Sequence, residues 1–257
     1  MEKKYLFFDI DGTLTDRSTG EIVPSAREAL TRLEENGHFV AIATGRAHYK
    51  ARKFTDANGF KNMVCCAGNG CVIDNELVEN IPLDKDGCIK IIHQAEELGY
   101  GWCVALDDTK DVYMTDDKFL RQVGKRKEPT RYIIDDMLEV EKADAIYKVY
   151  VAIPKEDEEK LTTKELVGHL RFEPEYLMFQ PDNKRGGIIK MMEHLNADIK
   201  DVVVFGDDYN DMDMFCPEWF SIAMGNACQD LKDMASYVTD TNVNDGIKKA
   251  CEHFEWI

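Results

Sequence analysis

Two aspartates one residue apart close the first apolar run of the chain, in "YLFFDIDGTLTD": Asp9 and Asp11, followed by Gly12 and Thr13. In an extended chain, residues two apart point to the same side, so both carboxylates can face one ligand. Gly12 lets the backbone turn closely around it. Taken alone, the stretch also reads as a strand followed by an Asp-Gly turn. A second burst of acids ends another apolar run, "VVVFGDDYNDMD", with Asp207, Asp208, Asp211 and Asp213. If a helix begins near Tyr209, Asp207 and Asp211 lie about one turn apart and converge. Like charges so placed repel, and a hard divalent cation turns the repulsion into binding. Mg²⁺ favours a few carboxylates with water and phosphate oxygens. A helix dipole satisfies one or two such acids, but not four.

Two further stretches complement the acids. "IATGRAHYK" sets Thr44 and Gly45, a hydroxyl and a bare backbone N–H, at the start of a helix, which suits an anion. The simpler reading is an N-cap threonine. "DNKRGG" puts Lys184 and Arg185 just ahead of another helix, where cations oppose the dipole. A compensating anion is expected there, or else a solvated charge pair.

Such residues act together only if the fold brings them to one edge. "KYLFF", "HFVAIA", "MVCCA", "DVVVFG" and "FSIAM" are short, continuously apolar strands. Helices separate them: "SAREALTRLEENG" with Ser25 as N-cap and Gly37 past the end, Tyr49–Asn58, "GIIKMMEHL", one near Asp230–Ala235 and one from Asp245. Buried strands alternating with helices predict a doubly wound, Rossmann-like parallel α/β sheet. Ligands bind outside the carboxyl ends of such strands, where the clusters fall.

The rhythm breaks after "NGCVIDNELV", read as a hairpin turning at Asn75-Glu76 and ended by Pro82. From about Asp84 to Gln180 the pattern becomes helix ("IKIIHQAEELG"), strands ("WCVALD", "DVYMT"), helix ("DKFLRQVGK"), a charged connection, strand ("AIYKVYVAI"), helix ("KEDEEKLTTKELVG") and strand ("EYLMFQP"). This predicts an inserted α+β domain with an antiparallel sheet, residues 83–182, within a core of residues 1–82 and 183–257.

Composition narrows the function. The formal net charge of −17 argues against nucleic acid. No apolar run approaches the roughly 20 residues that cross a bilayer, so a cytoplasmic protein without membrane partners is expected. The eight cysteines show no CxxC pair and read as small buried hydrophobes. The oligomeric state stays open, and a monomer is compatible with the composition.

The ordered set "DIDGT", "TGR", a Lys near "GGI" and "GDDYND" resembles the haloacid dehalogenase superfamily of aspartate-nucleophile phosphatases, and "AMGNACQDLKDMASYVTDTNVNDGI" resembles the ending of its Cof-like branch. The resemblance implies Asp9 as nucleophile and Asp11 as general acid and base, which requires Asp11 to hold a proton at the first step. It implies Mg²⁺ held by Asp9, Asp207 and the Asp11 carbonyl, with Asp211 and Asn210 in the metal's outer shell or the phosphate pocket. Thr44, the Gly45 N–H and Lys184 would hold the phosphoryl oxygens. Aligning Gly187-Ile188 with the family's small-then-apolar pair selects Lys184, with Arg185 as runner-up. Asp208 stands where glycine is common in the family. Insertion between the second and third motifs implies a large α/β cap of the second type (class IIB), placing Asn69 and Arg46 near the substrate. The implied function is a Mg²⁺-dependent phosphatase of a small phosphorylated metabolite, such as a sugar phosphate, working through an aspartyl-phosphate. A phosphomutase and a non-catalytic phosphometabolite sensor are the alternatives.

Overall fold

The computed structural model describes residues 2–126 and 130–257. Part of the charged connection expected after "DKFLRQVGK" thus lies outside the described residues. In chain order the first elements are β1 (Tyr5–Phe8), α1 (Pro24–Glu35), β2 (Phe39–Ala43), α2 (His48–Asn58), β3 (Met63–Cys65), β4 (Gly70–Ile73) and β5 (Glu76–Asn80). Next come α3 (Lys85–Glu97), β6 (Trp102–Ala105), β7 (Asp111–Met114), α4 (Lys118–Val123), β8 (Arg131–Ile134), β9 (Lys148–Val151), β10 (His169–Glu173) and β11 (Tyr176–Phe179). The last are α5 (Lys184–His194), β12 (Val202–Gly206), β13 (Phe220–Ala223), α6 (Gln229–Met234), β14 (Tyr237–Val238) and α7 (Gly246–His253). They fall into two compact units, one within Met1–Arg46, Lys53–Glu79 and Asn183–Ile257, the other within Ala47–Arg52 and Asn80–Asp182.

The first unit is an eight-stranded sheet in the order β14-β13-β12-β1-β2-β3-β4-β5. Strands β1, β2, β3, β12, β13 and β14 run parallel, and β4 turns back against β3. From β1 the chain winds outward through β2 and β3, then returns to β12 on the other side of β1. The strand order therefore reverses between β1 and β12, where an open α/β sheet leaves a crevice. Phe8 sits opposite Phe205, so Asp9 and Asp207 emerge side by side, and the Asp9 N–H donates to Phe205 O at 3.0 Å.

The continuous apolar strands follow from cover on both faces. On one face Phe7, Val202 and Val204 pack with Ile188, Met191 and Met192 of α5. On the other, Leu6, Phe8, Val203 and Phe205 are equally buried, with the Phe8 and Phe205 rings stacked at 4.6 Å. Helix α1 buries Ala26, Ala29, Leu30 and Leu33 at helical spacing. It starts one residue before the expected cap. Pro24 occupies the first turn, Val23 is the N-cap, and the Ser25 hydroxyl is buried without a partner. The β4–β5 hairpin turns at Asp74-Asn75, one residue earlier than expected, because these two take the left-handed φ values, 50° and 69°, that a tight hairpin needs.

The second unit holds a six-stranded sheet, β10-β11-β9-β6-β7-β8. It is mixed rather than antiparallel. The connection carrying α4 lets β8 run parallel to β7, while the remaining pairs are antiparallel. Strands β8 and β10 fall where the sequence suggested connections. The helix expected over "KEDEEKLTTKELVG" is instead two short 3₁₀ turns, Lys155–Lys160 and Lys164–Leu166. Only Leu161 and Val167 reach the core there, so no apolar stripe exists to hold a helix down. Among the described residues no helix is long and apolar enough to cross a membrane, and all eight cysteines are free.

The turn Cys66–Gly68 after β3 ties the first unit together. Its Cys66 N–H donates to Arg46 O at 2.8 Å, its Ala67 N–H to Thr44 O at 3.2 Å, and its Ala67 O accepts from the Asn183 N–H at 3.0 Å. Gly68 has φ +108°, and a Cβ there would lie 1.8 Å from Asn183 O. Gly68→Ala is expected to lower stability by about 2–4 kcal/mol, from left-handed strain plus overpacking, in chemical or thermal denaturation.

Candidate active site

Asp9 leaves β1 directly into a buried pocket of charge. It is 5% exposed, and its Oδ1 accepts from Lys184 Nζ at 2.8 Å. Lys184, 1% exposed at the first position of α5, also donates to Asp211 Oδ1 at 2.6 Å. The N-cap of that helix is Asn183, whose side chain accepts from Gly186 N. The anion expected opposite the Lys184 cation is thus a pair of aspartates. Arg185 is committed elsewhere: its side chain bonds Glu218, and its N–H donates to Asp213.

Strand β12 ends in Gly206 and hands Asp207 to the same pocket. A 3₁₀ turn, Tyr209–Met214, carries Asp211 back over it. Asp211 Oδ2 accepts from the N–H groups of Asp207 at 2.9 Å and Asp208 at 3.2 Å. One Asp211 oxygen therefore fixes the turn and the other fixes Lys184. Asp207 Oδ1 accepts from Thr13 Oγ1 at 3.0 Å, and its Oδ2 from Arg17 at 2.8 Å and Asn226 at 3.4 Å. Asn226 also donates to Gly12 O, closing the loop after β1.

Asp11 lies apart from this cluster. Its side chain is 64% exposed, and its oxygens accept from the Arg46 guanidinium at 2.7 and 2.9 Å. Arg46 also lies over the Phe54 ring, 5.5 Å from its centroid. Thr44 is buried and is not the cap of α2, because Gly45, Arg46 and Ala47 intervene before His48. Its hydroxyl accepts from the Arg46 N–H at 3.2 Å, and its carbonyl receives the Ala67 N–H. Gly45 is half-buried between them, Asn69 follows the Cys66–Gly68 turn, and Asn210 is half-buried in the turn that carries Asp211. Thr13, Arg17, Asn183 and Asn226 contribute contacts that the sequence reading did not single out. Asn226 carried a usable signal, since it is another polar residue just past a parallel strand.

One oxygen from each of Asp9, Asp207 and Asp211 lies within 4.8 Å of the others. Burial first, and then the Asp211 charge, push Asp9 up to about 7 against the pull of Lys184. The same two causes push Asp207 up to about 6, against Arg17 and Thr13. Burial alone would lower the Lys184 ammonium, but Asp211 and Asp9 overcome it and hold the group above its ordinary value. Three buried carboxylates thus outnumber the cations around them. Hard oxygen donors with unbalanced negative charge fit a divalent metal.

A family model for haloacid dehalogenase-like hydrolases matches residues 6–251. The chain belongs to that family. A subclass IIB sugar phosphatase of the same superfamily superposes with a TM-score of 0.78 at 25% identity, over 99% of this chain and 100% of that one. A Geobacillus kaustophilus protein superposes at 0.83 with 26% identity over the whole of both chains. The pyridoxal phosphate phosphatase YbhA of Escherichia coli is 27% identical, covering 96% of this chain and 97% of its own length. The 5-amino-6-(5-phospho-D-ribitylamino)uracil phosphatase YcsE of Bacillus subtilis is 26% identical, covering 98% and 95%. The chain is a phosphoric monoester hydrolase of the Cof-like, subclass IIB type, with the mixed sheet as its cap. Its substrates are small phosphorylated molecules.

The raised aspartates set a pH dependence. A carboxyl whose folded value exceeds its ordinary one binds protons that the unfolded chain releases. Asp9 and Asp207 therefore stabilise the metal-free fold fully below about pH 4, and that contribution is lost as pH rises through about 6 to 7. In chelator, the melting temperature of the wild type relative to Asp9→Asn is expected to fall between pH 5 and pH 8.

Proposed function

We propose that the chain hydrolyses a small phosphate monoester of the sugar-phosphate kind, with Asp9 as nucleophile, Asp11 as general acid and base, and Mg²⁺ as the metal. The carrying observation is the opposite setting of two carboxylates delivered by one strand end. Asp9 is buried against the buried Lys184, whereas Asp11 is exposed and paired with Arg46. That contrast suits one group fixed in the pocket as the attacking oxygen, which the metal and Lys184 keep ionised once the metal is bound, and one open to exchange protons with substrate and water.

An Asp9 oxygen attacks phosphorus, the bond to the leaving oxygen breaks, and the Asp11 proton passes to that oxygen. Water then attacks phosphorus, gives its proton to Asp11 and frees the Asp9 carboxylate. Arg46 must leave Asp11 before a substrate oxygen can take its place, and its guanidinium is then free for the phosphoryl group. Lys184 keeps Asp9 oriented and adds positive charge where the transferring oxygens gather. Thr44, the Gly45 N–H, Asn69 and Asn210 are assigned to the phosphate and substrate side. The Thr44–Arg46 backbone is fixed by the Cys66–Gly68 turn.

Asp9 and Asp207, with the Asp11 carbonyl, would hold the metal. Asp211 supports it through the backbone and Lys184. When bound, Mg²⁺ supplies charge to shield Asp9 from the incoming phosphate and to stabilise phosphoryl oxygens. Residues 83–182 are assigned as the cap that selects the leaving group, and residues 1–82 and 183–257 as the catalytic core. The phosphatases YbhA and YcsE support a metabolite-sized substrate.

Hydrolysis of a panel of phosphorylated metabolites, with Mg²⁺ and in chelator, tests this reading. Asp9→Asn is expected to abolish turnover, and Asp11→Asn to lower it by about 10²- to 10⁴-fold on alkyl phosphates. Full turnover by either variant would overturn the assignment.

A further inference from the structure

Arg17 has no part in the phosphate chemistry described above, yet it touches the acidic cluster. One of its terminal nitrogens, Nη2, donates to Asp207 Oδ2 at 2.8 Å and to Asp208 Oδ2 at 2.9 Å. Its side chain is 58% exposed, while Asp207 is buried. The backbone beneath it is fixed by a tight loop: the Gly20 N–H donates to Asp16 O at 2.7 Å and the Asp16 N–H to Glu21 O at 3.0 Å. The arm can therefore move without moving the chain. Gly12 makes room for it, since a Cβ there would lie 2.3 Å from Asp207 Oδ2 and 2.5 Å from Arg17 Nε.

We propose that Arg17 is a displaceable counter-cation of the metal-free site, which occupies Asp207 Oδ2 and gives it up when a divalent cation binds. The inference rests on the metal site assigned above. Asp207 Oδ1 is engaged by buried Thr13 at 3.0 Å, so Oδ2, which faces the exposed guanidinium and otherwise has only the long 3.4 Å contact from Asn226, is the oxygen a cation can claim at least cost. Two positive charges cannot share that oxygen without repulsion. Asp208 then has a function. It keeps Arg17 tethered at the rim after release, which accounts for a carboxylate where the family commonly has glycine. Competition has a reciprocal consequence: whatever Arg17 adds to the stability of the metal-free protein, it subtracts from metal affinity.

The test is Mn²⁺ binding to metal-stripped protein, followed by the loss of the free-ion electron paramagnetic resonance signal at fixed pH and ionic strength. Arg17→Gln is expected to bind Mn²⁺ about three- to tenfold more tightly than the wild type. Arg17→Lys, which keeps the charge, is expected to stay close to the wild type. In thermal unfolding, Arg17→Gln should melt below the wild type in chelator, and the gap should shrink at saturating Mn²⁺. Equal or weaker Mn²⁺ binding by Arg17→Gln would overturn the proposal, as would a gap that Mn²⁺ leaves unchanged. Asp207→Asn serves as the control. If it bound Mn²⁺ like the wild type, the metal site itself would be misplaced and the proposal would fall with it.

Discussion

A single ammonium group, Lys184 Nζ, lies buried between the carboxylates of Asp9 and Asp211, and the arrangement around it explains much of the core. A buried ion costs several kcal/mol in lost hydration, repaid only by close partners in fixed positions. Those partners arrive from three separate places: the end of β1, the turn after β12 and the start of α5. Each is held by backbone hydrogen bonds or a cap rather than by its own side chain alone. Asn183 caps α5, Asp211 grips two N–H groups of its turn, and Asp9 donates its N–H to β12. Removing one member of the triad would leave an uncompensated buried charge, which costs about 3–5 kcal/mol.

The sheet topology makes this meeting possible. Because the winding reverses between β1 and β12, the ends of these neighbouring strands open into the same space. The Cys66–Gly68 turn extends the coupling by bonding the Thr44–Arg46 loop on one side and Asn183 on the other. The Thr44–Arg46 loop and the start of α5 are therefore set by one backbone framework. The most exposed side chains around the acidic cluster are Arg17, bonded to Asp207, and Asp11, paired with Arg46.

Asp9 and Asp207 were legible in the sequence because acids ending continuously apolar strands are costly without a ligand. Lys184 was singled out over Arg185 through the family resemblance, by aligning Gly187-Ile188 with its small-then-apolar pair. The contacts of Thr13 and Arg17 with Asp207 were not legible, since they join residues about 190 positions apart through geometry that no local pattern encodes. Nor was the left-handed Cys66–Ala67 pair, whose side chains read as ordinary apolar residues. In the inserted unit, β8 was hidden by its mixed exposure and its parallel pairing with β7. The charged 155–166 segment imitated a helix in composition but offered no stripe of apolar residues to bury.

The central claim is that Asp9 carries the phosphoryl group. An aryl phosphate has a leaving group that needs no proton, so Asp11→Asn enzyme should still be phosphorylated while its hydrolysis step is slowed. Borohydride reduction of this variant, quenched during turnover, converts an acyl-phosphate to homoserine, which peptide mass spectrometry locates. Homoserine at position 9 is the predicted result; homoserine at another aspartate, or none while product is still formed, would contradict the account.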